Sequence, residues 1–327
     1  MITRPSTRPD ARPGPAPIPC THGYSNKRYR PHPHNGLPGL AGHAAHDTIR
    51  GMSRLNNFRG WRRWAWALGA ALLLAGCAGP RIDAHTHRAQ GHDSRVQFLI
   101  IHYTAESLER SIRILTEQQV SSHYLVTDEA RPRIFRLVDE DRRAWHAGVS
   151  HWAGHAMLNG NSIGIEIVNR GDRRAPDGSL QFEPYPPEQI ELVVALVRDI
   201  VKRHQIRPDR VLGHSDIAPQ RKVDPGPLFP WKRLADEGLV RWPDEALVQQ
   251  AMPAYEVAVP PVKWFQQALA RHGFLVPDHG ELDEPTRRVI AAFQMKYRPS
   301  RYDGQPDAQT AALLTALTGL RHEAPAQ

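Results

Sequence analysis

Cysteine is almost missing from this chain: its 327 residues contain two, Cys20 and Cys77. Cys20 falls in a stretch rich in Pro, Arg and His, and Cys77 ends a segment with the marks of an export signal, so no thiol is left for a disulfide. Stability then has to come from core packing or another kind of cross-link. Long apolar runs are scarce as well. The run Trp64 to Gly76 is too short to span a bilayer comfortably. Excess charge of one sign also disappears once the chain is divided. Residues 1–76 hold 11 of the 42 Lys and Arg but only 2 of the 34 Asp and Glu, which leaves 31 basic against 32 acidic residues beyond them. The net charge of +8 is therefore a property of the N-terminal region. The usual inference from a basic chain to nucleic acid fails, and no nucleic-acid partner is expected.

That N-terminal region reads in pieces. Residues 1–51 show no apolar periodicity and cannot assemble a core. They are either a disordered extension or lie ahead of a true start at Met52. Over residues 52–76, Arg54, Arg59, Arg62 and Arg63 precede the short apolar run, which is the order of a secretory signal. The run closes on Leu74-Ala75-Gly76-Cys77, which resembles the lipobox of bacterial lipoproteins. The resemblance implies a lipid anchor on Cys77 and a polar lipidated tether over 77–94. Position 78 is alanine rather than aspartate, which by the same resemblance implies the outer membrane, with the protein facing the periplasm.

From residue 95 to 242, short apolar strands alternate with helical stretches, the pattern of an α/β domain. Strands are expected at Gln97–Tyr103, His123–Thr127, Ile134–Val138 and Ser162–Val168, and helices at Leu108–Gln119 and Pro187–His204. In the second helix Ile190, Val193, Val194, Val197, Ile200 and Val201 recur at helical spacing. Pro-rich segments mark 243–261 as a linker. Beyond it, residues 262–320 predict a small three-helix domain with helices at Val262–His272, Glu284–Tyr297 and Asp307–Thr318.

Three separated positions carry the chemistry. His102 ends the run Phe98-Leu99-Ile100-Ile101, His214 follows Val211-Leu212-Gly213, and Asp224 lies ten residues later in Lys222-Val223-Asp224-Pro225-Gly226. Two imidazoles and a carboxylate suit zinc, and three protein ligands leave a fourth position open for water, the mark of a catalytic rather than a structural site. Glu166 stands in the apolar strand Ile163-Gly164-Ile165-Glu166-Ile167. An ionised carboxylate there is costly unless paired or near a metal, so it is the candidate general base. Lys222 shares the side of Asp224 if that segment is extended and is placed to meet a developing oxyanion. His151 and His155, four apart, and His85 and His87 are other possible metal donors, but no third ligand on a strand accompanies either pair. His204 and His272 fall near helix C-termini, where a cation is favourable.

Six segments in order carry a family resemblance: His102-Tyr103-Thr104, Ser121-Ser122-His123-Tyr124, Trp145-His146-Ala147-Gly148, Ser162-Ile163-Gly164-Ile165-Glu166, Gly213-His214-Ser215-Asp216 and Lys222-Val223-Asp224-Pro225-Gly226. Together they resemble the zinc-dependent N-acetylmuramoyl-L-alanine amidases of the AmpD/AmiD type. The resemblance implies a central mixed β-sheet flanked by helices, with Zn(2+) on His102, His214 and Asp224. It places Glu166 as general base and Lys222 near the transition state. Trp145 and His146 are candidates for lining the substrate groove. The segments Val262-Lys263-Trp264-Phe265-Gln266-Gln267-Ala268-Leu269, Gly280-Glu281-Leu282-Asp283-Glu284-Pro285-Thr286 and Ala291-Ala292-Phe293-Gln294 look like the three-helix peptidoglycan-binding domain, although Asp278-His279-Gly280 departs from that family's adjacent Asp-Gly. The expected partners are peptidoglycan and muropeptides. Two rival readings are a non-catalytic peptidoglycan receptor and a cytoplasmic amidase specific for anhydro-muropeptides.

Overall fold

The strand β1 (Phe98–Tyr103) is buried along its whole length, as expected of a strand covered on both faces. In the computed structural model, which describes residues 80–176 and 180–322, it lies near the middle of a five-stranded sheet. The extension over 1–51, the signal over 52–76 and Cys77 fall outside the described residues.

After β1 come α1 (Leu108–Glu117), β2 (Tyr124–Val126), β3 (Ile134–Arg136), a hairpin of β4 (His151–Trp152) and β5 (His155–Ala156), and β6 (Ser162–Ile167). A second hairpin pairs β7 (Asp172–Arg174) with β8 (Leu180–Phe182). Then follow α2 (Pro187–His204), β9 (Val211–Gly213), the single turn α3 (His214–Ile217) and α4 (Trp231–Ala235). The chain ends in α5 (Glu245–Val257), α6 (Val262–His272), α7 (Glu284–Tyr297) and α8 (Ala308–Thr318). The sheet order is β3-β2-β6-β1-β9, with β3 antiparallel and the other pairs parallel, so the expected central mixed sheet is what forms.

Register decides which side chains meet. β1 and β6 pair from Phe98 beside Ser162 to Tyr103 beside Ile167, which sets His102 beside Glu166. Side chains alternate along a strand, so Ser162, Gly164 and Glu166 share one face with Phe98, Ile100 and His102. On the other face Leu99, Ile101, Ile163, Ile165 and Ile167 pack on Val193, Val194, Val197 and Ile200 of α2. Burying each of these side chains contributes roughly 1.5–3 kcal/mol, which is why α2 keeps its predicted bounds.

The segment 243–261, expected to be a linker, instead contains α5. Asp244 caps it by accepting from the Ala246 and Leu247 N–H groups. Pro253 inside it removes a donor and favours a break. Packing overrides this: α5 lies along α8, Tyr255 is buried, and its hydroxyl meets Thr315 Oγ1 at 2.7 Å.

The C-terminal helices share a core with the sheet. Phe98, Ile100 and Leu212 belong to the same buried cluster as Trp152, Trp264, Phe265, Phe293 and Leu314, and the described residues from His85 onward form one compact unit. A β-carbon on Gly273 would come within 2.6 Å of the Trp152 ring, so α6 can end against that indole only with glycine there. Lys296 of α7 reaches further. Its ammonium lies 2.7 Å from Asp216 Oδ2 and 4.2 Å from the centre of the Trp231 ring, with both charged groups almost fully buried. His272 corrects the expectation of a helix-end cation. It is buried among Trp152, Phe293 and Tyr297, and burial, with the Lys296 and Arg241 charges adding, lowers its pKa to about 3.

Candidate active site and metal centre

Residues far apart in sequence reach one point because each ends a parallel strand. His102 lies near the C-terminal end of β1, Glu166 near that of β6, and His214 directly follows β9. Ligand sites of open α/β sheets form outside these ends. Asp224 is brought back by a tight loop: the Arg221 and Lys222 N–H groups donate to the Ala218 carbonyl, and the Ser215 N–H donates to the Asp224 carbonyl at 2.8 Å. Gly213 permits the return, since a β-carbon there would lie 2.7 Å from Pro225 Cδ. The Asp224–Pro225 peptide is cis.

The three ligand-type atoms form a small triangle. His102 Nδ1 lies 2.9 Å from His214 Nδ1, and Asp224 Oδ2 lies 3.1 Å from each. All three residues are buried, and they form the one group of metal-ligand type among the described residues. Burial lowers the His102 pKa to about 4; His214 adds to this and Asp224 opposes it. Burial pushes the Asp224 carboxyl up, but His214 and His102 outweigh it and hold the group well below the usual carboxylate range. His214 Nε2 lies 3.3 Å from both the Ala147 carbonyl oxygen and Arg221 Nη2; the guanidinium hydrogens go to the Ala147 and Val149 carbonyls, so Nε2–H donates to Ala147 and Nδ1 is left bare. A carboxylate oxygen and two imidazole nitrogens that face one point are the donor set of a divalent cation of the zinc type. The residues fit that metal.

Glu166 sits beside this triangle. Burial raises its pKa well above the usual carboxylate range, Asp224 adds to the rise and Lys222 opposes it. Its Oε2 is buried without a hydrogen-bond partner. Glu166, Lys222, His214 and Asp224 line one cavity of about 180 Å³, together with Trp145, His146 and Val120. A carboxyl whose pKa is raised by burial and a lysine in one small cavity can move a proton and meet a developing negative charge.

The two groove candidates differ. Trp145 is 51% exposed, carries the Arg143 guanidinium 4.3 Å from its ring centre, and stands between the small cavity and a hollow of about 840 Å³. His146 is only 8% exposed and is engaged at both ring nitrogens. His151 and His155 lie on the β4–β5 hairpin outside the triangle, and the His155 ring packs edge-on against Phe98. Sequence reasoning gave no role to Asn159, Ser162 or Lys296. Only the glycine at 164, inside a strand, signals close packing, and it concerns the His146 ring that meets Ser162.

A mixed sheet with such a site at its strand ends defines an α/β protein built to hold a metal ion beside a buried carboxyl and a lysine. Comparison with known proteins narrows this class. The family model for N-acetylmuramoyl-L-alanine amidase matches residues 92–227, and one for a peptidoglycan binding domain matches 259–314. The chain is 45% identical over 271 residues to N-acetylmuramoyl-L-alanine amidase AmiD of Escherichia coli strain K12, covering 78% of this chain and 97% of that protein. A solved complex of E. coli AmiD with anhydro-N-acetylmuramic acid-L-Ala-D-γ-Glu-L-Lys aligns at a TM-score of 0.66 and 42% identity, over 73% of this chain and 94% of the other. AmpDh3 of Pseudomonas aeruginosa with anhydromuramic pentapeptide aligns at 0.69 and 39%, over 74% and 98%. The chain belongs to the N-acetylmuramoyl-L-alanine amidase family and is such an amidase.

Proposed function

We propose that this amidase works as a zinc hydrolase, with the metal on His102, His214 and Asp224, Glu166 as general base and acid, and Lys222 as oxyanion donor. The bond cleaved joins the lactyl group of N-acetylmuramic acid to L-alanine. The observation that carries the reading is the triangle of donor atoms 2.9–3.1 Å apart beside a buried, partnerless carboxyl oxygen. When bound, zinc supplies a Lewis acid for the amide carbonyl and lowers the pKa of water toward about 7. Glu166 takes the proton of the attacking water and returns it to the leaving amine of L-alanine, a role its raised pKa suits. Lys222 donates to the oxygen that gains charge. Trp145 offers its exposed ring to the sugar or stem peptide. Anhydro-muropeptides are among the substrates, because AmiD and AmpDh3 are solved with such ligands.

The setting follows from the N-terminal signal: a lipid on Cys77 holds the protein in the outer membrane, facing the periplasm. The C-terminal helices hold peptidoglycan, and anchor and binding unit together raise the local concentration of substrate. A receptor without catalysis would have lost a ligand or the base, and all four residues meet here. Purified protein incubated with defined muropeptides, with products read by mass spectrometry, tests the proposal. Free stem peptide that disappears with chelator or Glu166→Ala, and returns with zinc, is the expected result. Cleavage that survives a stripped, metal-free preparation would overturn the zinc assignment.

A further inference from the structure

The outer nitrogens of both histidine ligands end on neighbouring residues of one turn. His102 Nε2 lies 3.0 Å from His146 Nδ1, and His214 Nε2 lies 3.3 Å from the Ala147 carbonyl oxygen. Arg221 Nη2 also lies 3.3 Å from His214 Nε2, but its two hydrogens go to the Ala147 and Val149 carbonyls, so His214 donates to the Ala147 carbonyl in the Nε2–H form. His102 faces another imidazole, and which ring carries the shared proton depends on the far side of His146.

There the chain of bonds has a definite direction. Ser162 Oγ lies 2.7 Å from the Leu158 carbonyl oxygen, which has no proton, so the hydroxyl donates to it. With its hydrogen committed, Ser162 Oγ accepts from His146 Nε2–H at 3.1 Å. His146 Nδ1 is then bare and accepts from His102 Nε2–H. His102 Nδ1 is left as a lone pair facing Asp224 and His214.

The frame around this relay is rigid. Asn159 Oδ1 accepts the backbone N–H groups of both His146 and Ala147, at 3.1 and 2.7 Å. The His146 ring lies flat over Gly164, where a β-carbon would come within 2.5 Å of its Cγ. Arg221 binds the Ala147 and Val149 carbonyls from the other side.

We propose that His146, directed by Ser162, is a positioning residue that sets the tautomer of His102 for metal binding, and that the His146-Ala147 pair orients both histidine ligands. The inference rests on the zinc reading. Such outer partners typically change metal affinity about 10–100-fold when lost.

The test compares two substitutions of similar size on the full chain. Asparagine can place Oδ1 where His146 Nδ1 accepts; leucine cannot. Zinc affinity, measured by competition with a chromophoric chelator, is expected to fall about 10–100-fold in His146→Leu and to stay within a few-fold of wild type in His146→Asn. Ser162→Ala should fall between them. If leucine and asparagine behave alike, His146 is merely packing and the inference is overturned. Long-range ¹H–¹⁵N spectra of the zinc-loaded wild-type protein give a second reading that needs no variant. The expected form of His146 carries its proton on Nε2, and a proton on Nδ1 would overturn the relay. Wild-type protein that takes up no zinc would instead overturn the function proposed above, so the two failures are distinguishable.

Discussion

Replacing Lys296 by methionine isolates the bond between the C-terminal helices and the catalytic sheet. The long apolar stem is preserved, but Asp216 loses its one cationic partner among the described residues. Asp216 is 2% exposed, so its carboxylate remains dry with one donor, the Gly213 N–H at 2.8 Å. Removing one partner of a buried ion pair costs roughly 3–5 kcal/mol, because an uncompensated charge stays behind. Methionine recovers some packing but not the contact of the ammonium with the Trp231 ring, so the expected loss is about 3–4 kcal/mol. The double variant Asp216→Asn, Lys296→Met removes the charge as well, while the amide oxygen of asparagine still accepts from Gly213. It should recover most of the loss. Urea unfolding of the four proteins of this double-mutant cycle is the assay. A loss below about 1 kcal/mol for Lys296→Met, or a double variant no better than the single, would refute the reasoning.

Further outcomes follow from other groups. Glu166→Gln should reduce kcat about 10²–10⁴-fold, the usual worth of a general acid–base group, with zinc affinity retained; steady-state kinetics and metal analysis decide it. His272 is lowered to about 3 in the folded chain against 6.5 in the free side chain. The unfolded chain therefore binds a proton first, so this contribution to stability is complete above about pH 6.5 and lost as pH falls toward 3. His272→Phe should flatten the dependence over that window, as measured by unfolding midpoints against wild type. If the exposed Trp145 ring holds substrate as proposed, Trp145→Ala should raise KM far more than it lowers kcat; a pure kcat effect would count against that role. Stripping the metal should lower the melting temperature, since a ligand bound only by the folded state stabilises it.

Much of this structure was legible because the periodic signals were local. The 18 residues of α2 carry seven buried positions at helical spacing, and β1 and β6 are unbroken apolar runs apart from their polar site residues. His102, Glu166, His214 and Asp224 were legible because each is a polar residue of ligand or catalytic type in or beside a buried strand, and the family resemblance set their roles. What stayed hidden depends on distant contacts. β9 is three residues long, too short to show a period, and forms because Leu99 to Ile101 offer it a partner. Pro253 signalled a linker, and only Tyr255 packing on α8 explains a helix there. The outer partners Asn159 and Ser162 lie 13 and 16 residues beyond His146, and Lys296 lies 80 residues from Asp216. No pattern within one segment carries such pairings.

The core that α6, α7 and α8 share with the sheet also makes the molecule a gauge. A binding unit on a loose leash samples many distances and lets its enzyme cut anywhere within reach. Here Phe98 and Phe293 sit in one packed cluster, and Trp152 is wedged against Gly273, so grip and blade keep a fixed offset. A glycan held by the C-terminal helices would present its stem peptides to the site at set intervals, and those out of phase would be spared. Partial digestion of long strands should then leave a periodic pattern of uncut stems, written by the dimensions of the fold.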